Sequence, residues 1–301
     1  MHAKTNKCFA RLQWNGGDRL RRLTYENGRG EQIEFYLSPL LIESLEGIGE
    51  VDADIQGQTA PYSDGDMYID TLLQPRFIDL EGSILKRDFI EIREFRRHIL
   101  RVCNPKLGLG KITLELDGDI KEIMGVLDGS PAFPERGRDV FQKFMINWKC
   151  PDPYWKDLNR VSRPLQSYVG NFTLPTTFPF ELGVAGSRTT LFNEGDVPAP
   201  VSIDIHGPTT NPQIINRTTG DYIRINRSIA DDEILHINTA SGQQRVEIYR
   251  DNSIEQGFGY LDHNSELFSL ELGENEIEHI ADAGDRNAIV AVSWQSRYTG
   301  I

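Results

Sequence analysis

The chain has 301 residues, 39% apolar and 26% charged, the balance of a soluble globular protein with room for two domains. Its net charge of −13 argues against a freely accessible, sequence-reading nucleic-acid surface, which would cluster Lys and Arg against phosphates. No apolar run approaches the roughly 18 to 20 residues that span a bilayer, and the opening MHAKTNKCFARLQWNGG lacks a signal-peptide core, so folding in a cytoplasm is expected.

In chain order, LRRLTYEN and EQIEFYL read as strands separated by the turn signal NGRG. Residues 57–67, GQTAPYSDGDM, read as a polar, turn-rich loop, solvated rather than cation-binding. PRFIDLEGSI follows as a strand, with Phe77, Asp79, Glu81 and Ser83 on one face and Ile78, Leu80 and Ile84 on the other. In KRDFIEIREFRRHILRVCNP the period changes. Phe89, Ile92, Phe95, Ile99 and Cys103 recur every three or four residues, which predicts an amphipathic helix over about 85–103 that stops before Asn104-Pro105. Its interleaved charges fit a solvated helix face. KITLELDGDIKEIMGVL reads as a hairpin, because Asp117-Gly118 suits a two-residue turn with positive φ at both positions. DVFQKFMINWKC fits either period, and its β-rich, proline-flanked setting favours a strand.

That strand should end near Trp148 or Lys149, in the stretch WKCPDPYW. Pro151 and Pro153 lack amide donors and fix φ, so a sheet cannot run through them. Tyr154 and Trp155 can then anchor the exit on apolar surface. Trp148, Pro151, Pro153, Tyr154 and Trp155 are therefore read as the rigid exit from a first domain. Cys8, Cys103 and Cys150 are odd in number, far apart and without His at ligand spacing, and are read as reduced, buried thiols.

Patterning is poor from Leu158 to Gly195, where the domain change is placed. The first domain is expected over 1–160, a connection over 161–190 and a second domain over 191–301. PVSIDIHG, DYIRIN, ILHIN, QRVEIY, LFSLEL, NEIEHI and AIVAVSWQ then alternate with turns, the pattern of an antiparallel β-sandwich without a helix. The fold class expected is mainly β.

The chemistry sought is not signalled. GLGKIT at 108–113 lacks both the opening glycine and the Ser or Thr after lysine that a phosphate loop needs. There is no G-x-S-x-G and no H-E-x-x-H, and the six His are scattered. No catalytic, cofactor or metal site is expected, and the chain is not read as an enzyme.

Several stretches together resemble one family. LFNEGDVPAPVSIDIHGPTTNPQIINRTTGDYIRIN, LHINTASGQQRV and YLDHNSELFSLELGENEI look like the C-terminal domain of the distal tail proteins of long, non-contractile-tailed bacteriophages. RFIDLEGSI, the helix ending in NPK and the closing WKCPDPYW extend the likeness to the first half. The resemblance implies an N-terminal β-sandwich with one helix and an extended hairpin, and a C-terminal galectin-like or jelly-roll β-sandwich. It also implies a ring of six copies that joins the tail tube and tape-measure protein to the tail-associated tip protein, with a central channel for DNA. The outer domains of such a ring can carry receptor-binding protein. Within that picture, Arg76, Phe77, Ile78 and Leu80 are candidates to offer a strand edge to a neighbour. The alternative reading is a module binding host glycan through exposed aromatics, for which Tyr222, Tyr249, Phe258, Tyr260 and Trp294 are candidates.

Overall fold

The computed structural model describes residues 21–59, 61–62, 64–134, 141–165, 187–251, 253–284 and 288–301. Cys8 lies outside the described residues. The first half contains β1 (Arg21–Glu26), β2 (Gln32–Phe35), β3 (Leu40–Glu46), β4 (Ala53–Thr59), β5 (Asp66–Leu73), β6 (Arg76–Leu85), helix α1 (Phe89–Val102), β7 (Gly110–Leu116), β8 (Asp119–Leu127), β9 (Phe141–Cys150) and β10 (Trp155–Asp157).

Its main sheet runs β2-β1-β7-β8-β9-β6-β3, with antiparallel neighbours throughout. The β8–β9 contact is only a corner, Val126 opposite Lys149 and Leu127 opposite Trp148. The path folds there into two layers, and its far ends meet again at a parallel bridge between Tyr36 and Leu41. The rings of Tyr25 and Trp148 pack with centroids 5.6 Å apart, and those of Phe35 and Phe144 with centroids 5.5 Å apart. Together with Leu23, Ile78, Leu80, Ile112 and Ile146 they form the first core.

Local chemistry explains the elements. Asp117 and Gly118 have φ of 53° and 90°, as the β7–β8 turn requires. In β9 the residues Gln142, Phe144, Ile146, Trp148 and Cys150 point inward and alternate with exposed neighbours, so period two prevails. Pairing with β6 along its whole length enforces that choice. Helix α1 buries Ile92, Ile99 and Val102 and starts four residues later than the expected 85. Leu85 still belongs to β6, opposite Phe141, and the Asp88 side chain caps the helix by accepting from Ile90 N at 3.0 Å. Phe89 consequently sits outside the stripe, on the exposed side.

Two expectations are corrected. Residues 57–67 are not a plain loop, because both their ends, 57–59 and 66–67, belong to the long antiparallel hairpin of β4 and β5. β6 offers no edge to a neighbour, because β3 flanks it on one side and β9 on the other.

The second half contains β11 (Val161–Leu165), β12 (Ser187–Asn193), β13 (Ala199–His206), β14 (Thr209–Thr210), β15 (Gln213–Asn216), β16 (Tyr222–Arg224), β17 (Ser228–Ile229), β18 (Glu233–Asn238), β19 (Arg245–Arg250), β20 (Ser253–Gln256), β21 (Ser269–Leu270), β22 (Gly273–Ile280), β23 (Ile289–Trp294) and β24 (Arg297–Tyr298). One sheet runs β11-β23-β13-β18-β19-β20 and another β12-β22-β15-β16. Both contribute to the second core, Val201, Ile203, Leu235 and Val292 from the first and Ile214, Ile223 and Ile277 from the other. β11 and β12 come from the stretch where the sequence shows little regular patterning. The described residues of this half contain no helix longer than the short turn at Phe258–Tyr260.

Asn27 ties the first turn to the helix. Its side chain, 3% exposed, accepts from Arg29 N at 2.9 Å and Glu31 N at 3.1 Å and donates to Val102 O at 3.1 Å. Val102 O is one of the carbonyls that a helix end leaves without an internal partner. Asn27→Ala is expected to cost about 1–3 kcal/mol, read as a lowered urea midpoint at unchanged slope.

Candidate functional site

The stretch between β9 and β10 folds around a buried cation. Arg76 opens β6 opposite Cys150, the last residue of β9, and its side chain is 1% exposed. Its Nε donates to Pro153 O at 2.8 Å, and its Nη1 donates to Gly47 O at 2.7 Å and Glu50 O at 2.9 Å. Its Nη2 donates to Thr299 O. Four carbonyls from three segments thus converge on one guanidinium, whose planar fork of donors can serve them at once. Burial pulls its pKa down, and the neighbouring Cys150 and Glu50 oppose that only in part. The close approach depends on Gly47, which has φ of 78° and where a Cβ would lie 1.8 Å from Phe77 O.

The other exit residues gather at the same place. Trp155 is fully buried and its indole donates to Ile48 O at 2.9 Å, pinning the loop that Arg76 also grips. Pro153 supplies its carbonyl, while Pro151 is exposed. Tyr154 lies under the Arg297 guanidinium at 4.2 Å. Trp148 is buried in the first core. Cys103 and Cys150 are buried free thiols whose pKa values burial pushes up to about 12, unlike a nucleophilic thiolate.

Residues 295–301 close the junction from the other side. β24 pairs with β10, Tyr298 opposite Trp155 and Arg297 opposite Lys156, and β10 in turn pairs with β8. Asp152 takes Arg297 Nη2 at 2.6 Å and Lys156 Nζ at 2.8 Å. Burial works to raise the Asp152 pKa, but these two cations outweigh it and hold the carboxyl below its ordinary range. Lys121 Nζ sits between Asp119 at 2.7 Å and Asp157 at 2.9 Å, 4.5 Å above the Tyr298 ring. Gln295 Nε2 donates to Glu122 Oε1 at 3.1 Å and Asp157 O at 2.9 Å. Asp196, from the second half, donates its amide to Arg297 O at 2.8 Å. Tyr298 and Ile301 pack on the first core. Sequence reasoning missed Lys121, Asp152, Asp157, Gln295 and Arg297. Arg297 and Asp152 are 145 residues apart, so no local pattern marks them as partners.

The remaining candidates separate. Ile78 and Leu80 are fully buried in the protomer's own core, whereas Phe77 is 47% exposed beside Lys149. The aromatics considered for a glycan platform do not share a face. Trp294 is in the second core, Tyr249 belongs to one sheet and Tyr222 to the other. The hydroxyls of Tyr222, Tyr249 and Tyr260 are already bonded to Asp262, Glu247 and Glu255. Among the described residues no group of His, Cys, Asp and Glu could hold a metal, and no helix is long and apolar enough to cross a membrane. The exposed exception is the β4–β5 arm, whose described residues are exposed apart from the half-buried Leu73.

Two family models match in chain order, the phage tail protein RIFT-related domain over residues 28–150 and the siphovirus-type tail component, C-terminal domain, over residues 194–298. The chain belongs to the distal tail protein family of siphovirus-type phages. No curated protein matches it. Among solved structures it is similar to the SPP1 Dit (gp 19.1) protein, at 11% identity over 91% of this chain and 98% of that chain, with a TM-score of 0.66. It is also similar to a chain of the phage P2 baseplate in its activated conformation with Ca, at 10% identity over 94% of this chain and 100% of that chain, with a TM-score of 0.54. The distal tail protein described here is thus a structural part of a phage tail tip, located in the virion, and not an enzyme.

Two outcomes follow for the junction. Arg76→Met leaves four carbonyls without their donor and is expected to cost at least about 3 kcal/mol by urea unfolding, with Arg76→Lys recovering only part because it lacks the planar fork. Asp152 has a depressed folded pKa, so its contribution is fully present above the ordinary 3.8 and is lost as pH falls through the lower folded value. The stability gap between the unaltered protein and Asp152→Asn should therefore be constant above pH 3.8 and close below it, as thermal melts across acid pH would show.

Proposed function

We propose that this distal tail protein closes into a ring of six copies at the tail tip. The ring joins the end of the tail tube and the tape-measure protein to the tail-associated tip protein and leaves a central channel for DNA. Its second domain, built on the sheets that hold β11 to β23, projects outward toward receptor-binding protein or host glycan. Folding and assembly take place in the host cytoplasm before the virion is complete.

One observation carries the reading. The β4–β5 arm holds Ile55 at 70%, Met67 at 71%, Tyr68 at 64%, Ile69 at 59% and Leu72 at 49% exposure. A lone two-stranded ribbon is marginal in water, and clustered exposed apolar side chains mark contact surfaces. A neighbour in an assembly supplies the missing cover. Closed rings repeat one head-to-tail interface, which suits a protomer that offers an arm on one side and a different surface on the other. The junction around Arg76, Trp148, Pro151, Pro153, Tyr154 and Trp155 serves as internal architecture, fixing where the second domain leaves the ring, and Phe77 is the candidate on β6 left to meet a neighbour. The net charge of −13 suits a channel lined by carboxylates that repels DNA in transit.

Sedimentation velocity and negative-stain images of the purified protein should show a six-fold ring. A monomer that persists at high concentration, both alone and with its tube and tip neighbours, would overturn the proposal.

A further inference from the structure

The arm and the helix carry complementary chemistry. Residues 51–75 contain Asp52, Asp54, Asp64, Asp66 and Asp70 and no Lys or Arg. The β4–β5 register sets Asp54 opposite Leu72, Gln56 opposite Asp70 and Gln58 opposite Met67, so these six share one face of the ribbon. Ile69 is the residue skipped at the register shift, so the face is kept on either side of it. Among the described residues, Asp70 accepts only from the adjacent Thr71 N, at 2.7 Å. Among the described residues no cation of the protomer pairs with Asp54 or Asp70.

Helix α1 presents the counterpart. With Ile92, Ile99 and Val102 turned inward, the helical period turns Ile90, Arg93, Arg97 and Arg101 outward, with Phe89 and Leu100 along one flank. Ile90 is 64%, Phe89 61% and Leu100 42% exposed. Arg101 is paired with Glu31 at 3.5 Å, whereas Arg93 and Arg97 have no ion-pair partner among the described residues. Glu94 is the one acid on that face. Neighbouring positions one turn apart lie about 5–6 Å from each other on a helix, and diagonal neighbours on a ribbon about 7–8 Å. Long arginine side chains bridge that difference, so Arg93 and Arg97 can meet Asp54 and Asp70 while Ile90 and Leu100 cover Met67 and Leu72.

We propose that the outer face of α1 is the seat for the β4–β5 arm of a second copy of this chain. The inference rests on the ring reading and sharpens it. Both surfaces are exposed within one protomer, so the contact forms between copies, and each copy gives an arm and receives one. Such a contact is head-to-tail and propagates until it closes.

The test is a charge reversal on exposed positions, with circular dichroism confirming that each variant folds. Asp54→Lys with Asp70→Lys, and separately Arg93→Glu with Arg97→Glu, should each weaken self-association at least about tenfold by sedimentation velocity. The chain carrying all four changes should return to within about threefold of the unaltered protein. If the ring persists and neither pair weakens it, the arm–helix contact is wrong while the ring reading stands. Weakening by both pairs without recovery in the combined chain would also overturn the contact, leaving the arm seated elsewhere on the neighbour or on the tube protein. An unaltered protein that never assembles would remove the ring reading and this contact together.

Discussion

The guanidinium of Arg76 and the carbonyls of Gly47, Glu50, Pro153 and Thr299 form the contact on which the rest of the junction depends. Taking a charge out of water costs several kcal/mol, and here carbonyl dipoles rather than a carboxylate offset that cost. Each of those carbonyls would otherwise be an unsatisfied group at a crowded place. The loop at 47–50, the proline-marked exit and the 295–301 segment are consequently fixed by the same side chain. Removing any one leaves donors or acceptors behind in the others, so the three cannot rearrange independently.

That arrangement brings both crossings between the two halves to one spot. The chain leaves the first domain after β10 and returns as β24, and the two strands pair with each other. Asp152, Arg297, Lys156, Lys121, Asp157 and Gln295 surround the pair with ions and hydrogen bonds. The β4–β5 arm is organised in the opposite way. Its apolar side chains have no core of their own, and among the described residues no cation pairs with Asp54 or Asp70. A protomer that saturates its interior contacts and leaves one such arm bare is built to be completed by another molecule.

Much of the fold was legible where period two met turn chemistry. The NGRG and Asp117-Gly118 turns marked β1–β2 and β7–β8, and the alternation of the second half marked its longer strands, β13, β18, β19, β22 and β23 among them. The helix was clear from its stripe, but its start was set by Asp88 and by the hold of β6 on Leu85, which periodicity cannot register. β4 and β5 escaped notice because alternation signals burial, and almost nothing in the arm is buried. β6 looked like an edge because its flanking strands, β3 and β9, bracket it in space and not in sequence. WKCPDPYW was legible as a break in the sheet because proline chemistry is local, and β9 does end at Cys150. Its partners at 295–299 did not show, since Gln295 and Asp157 meet across 138 residues. The family resemblance drew on the order of several motifs along the chain rather than on any single one.

Hydrogen–deuterium exchange on the intact chain tests the junction most directly. Peptides covering 155–157 and 297–299 are expected to exchange as slowly as those of β9, and Arg76→Met is expected to release them while β9 stays protected. Exchange of 297–299 at the rate of an unstructured peptide in the unaltered protein would contradict the junction, and with it the idea that one buried arginine fixes where the second domain stands.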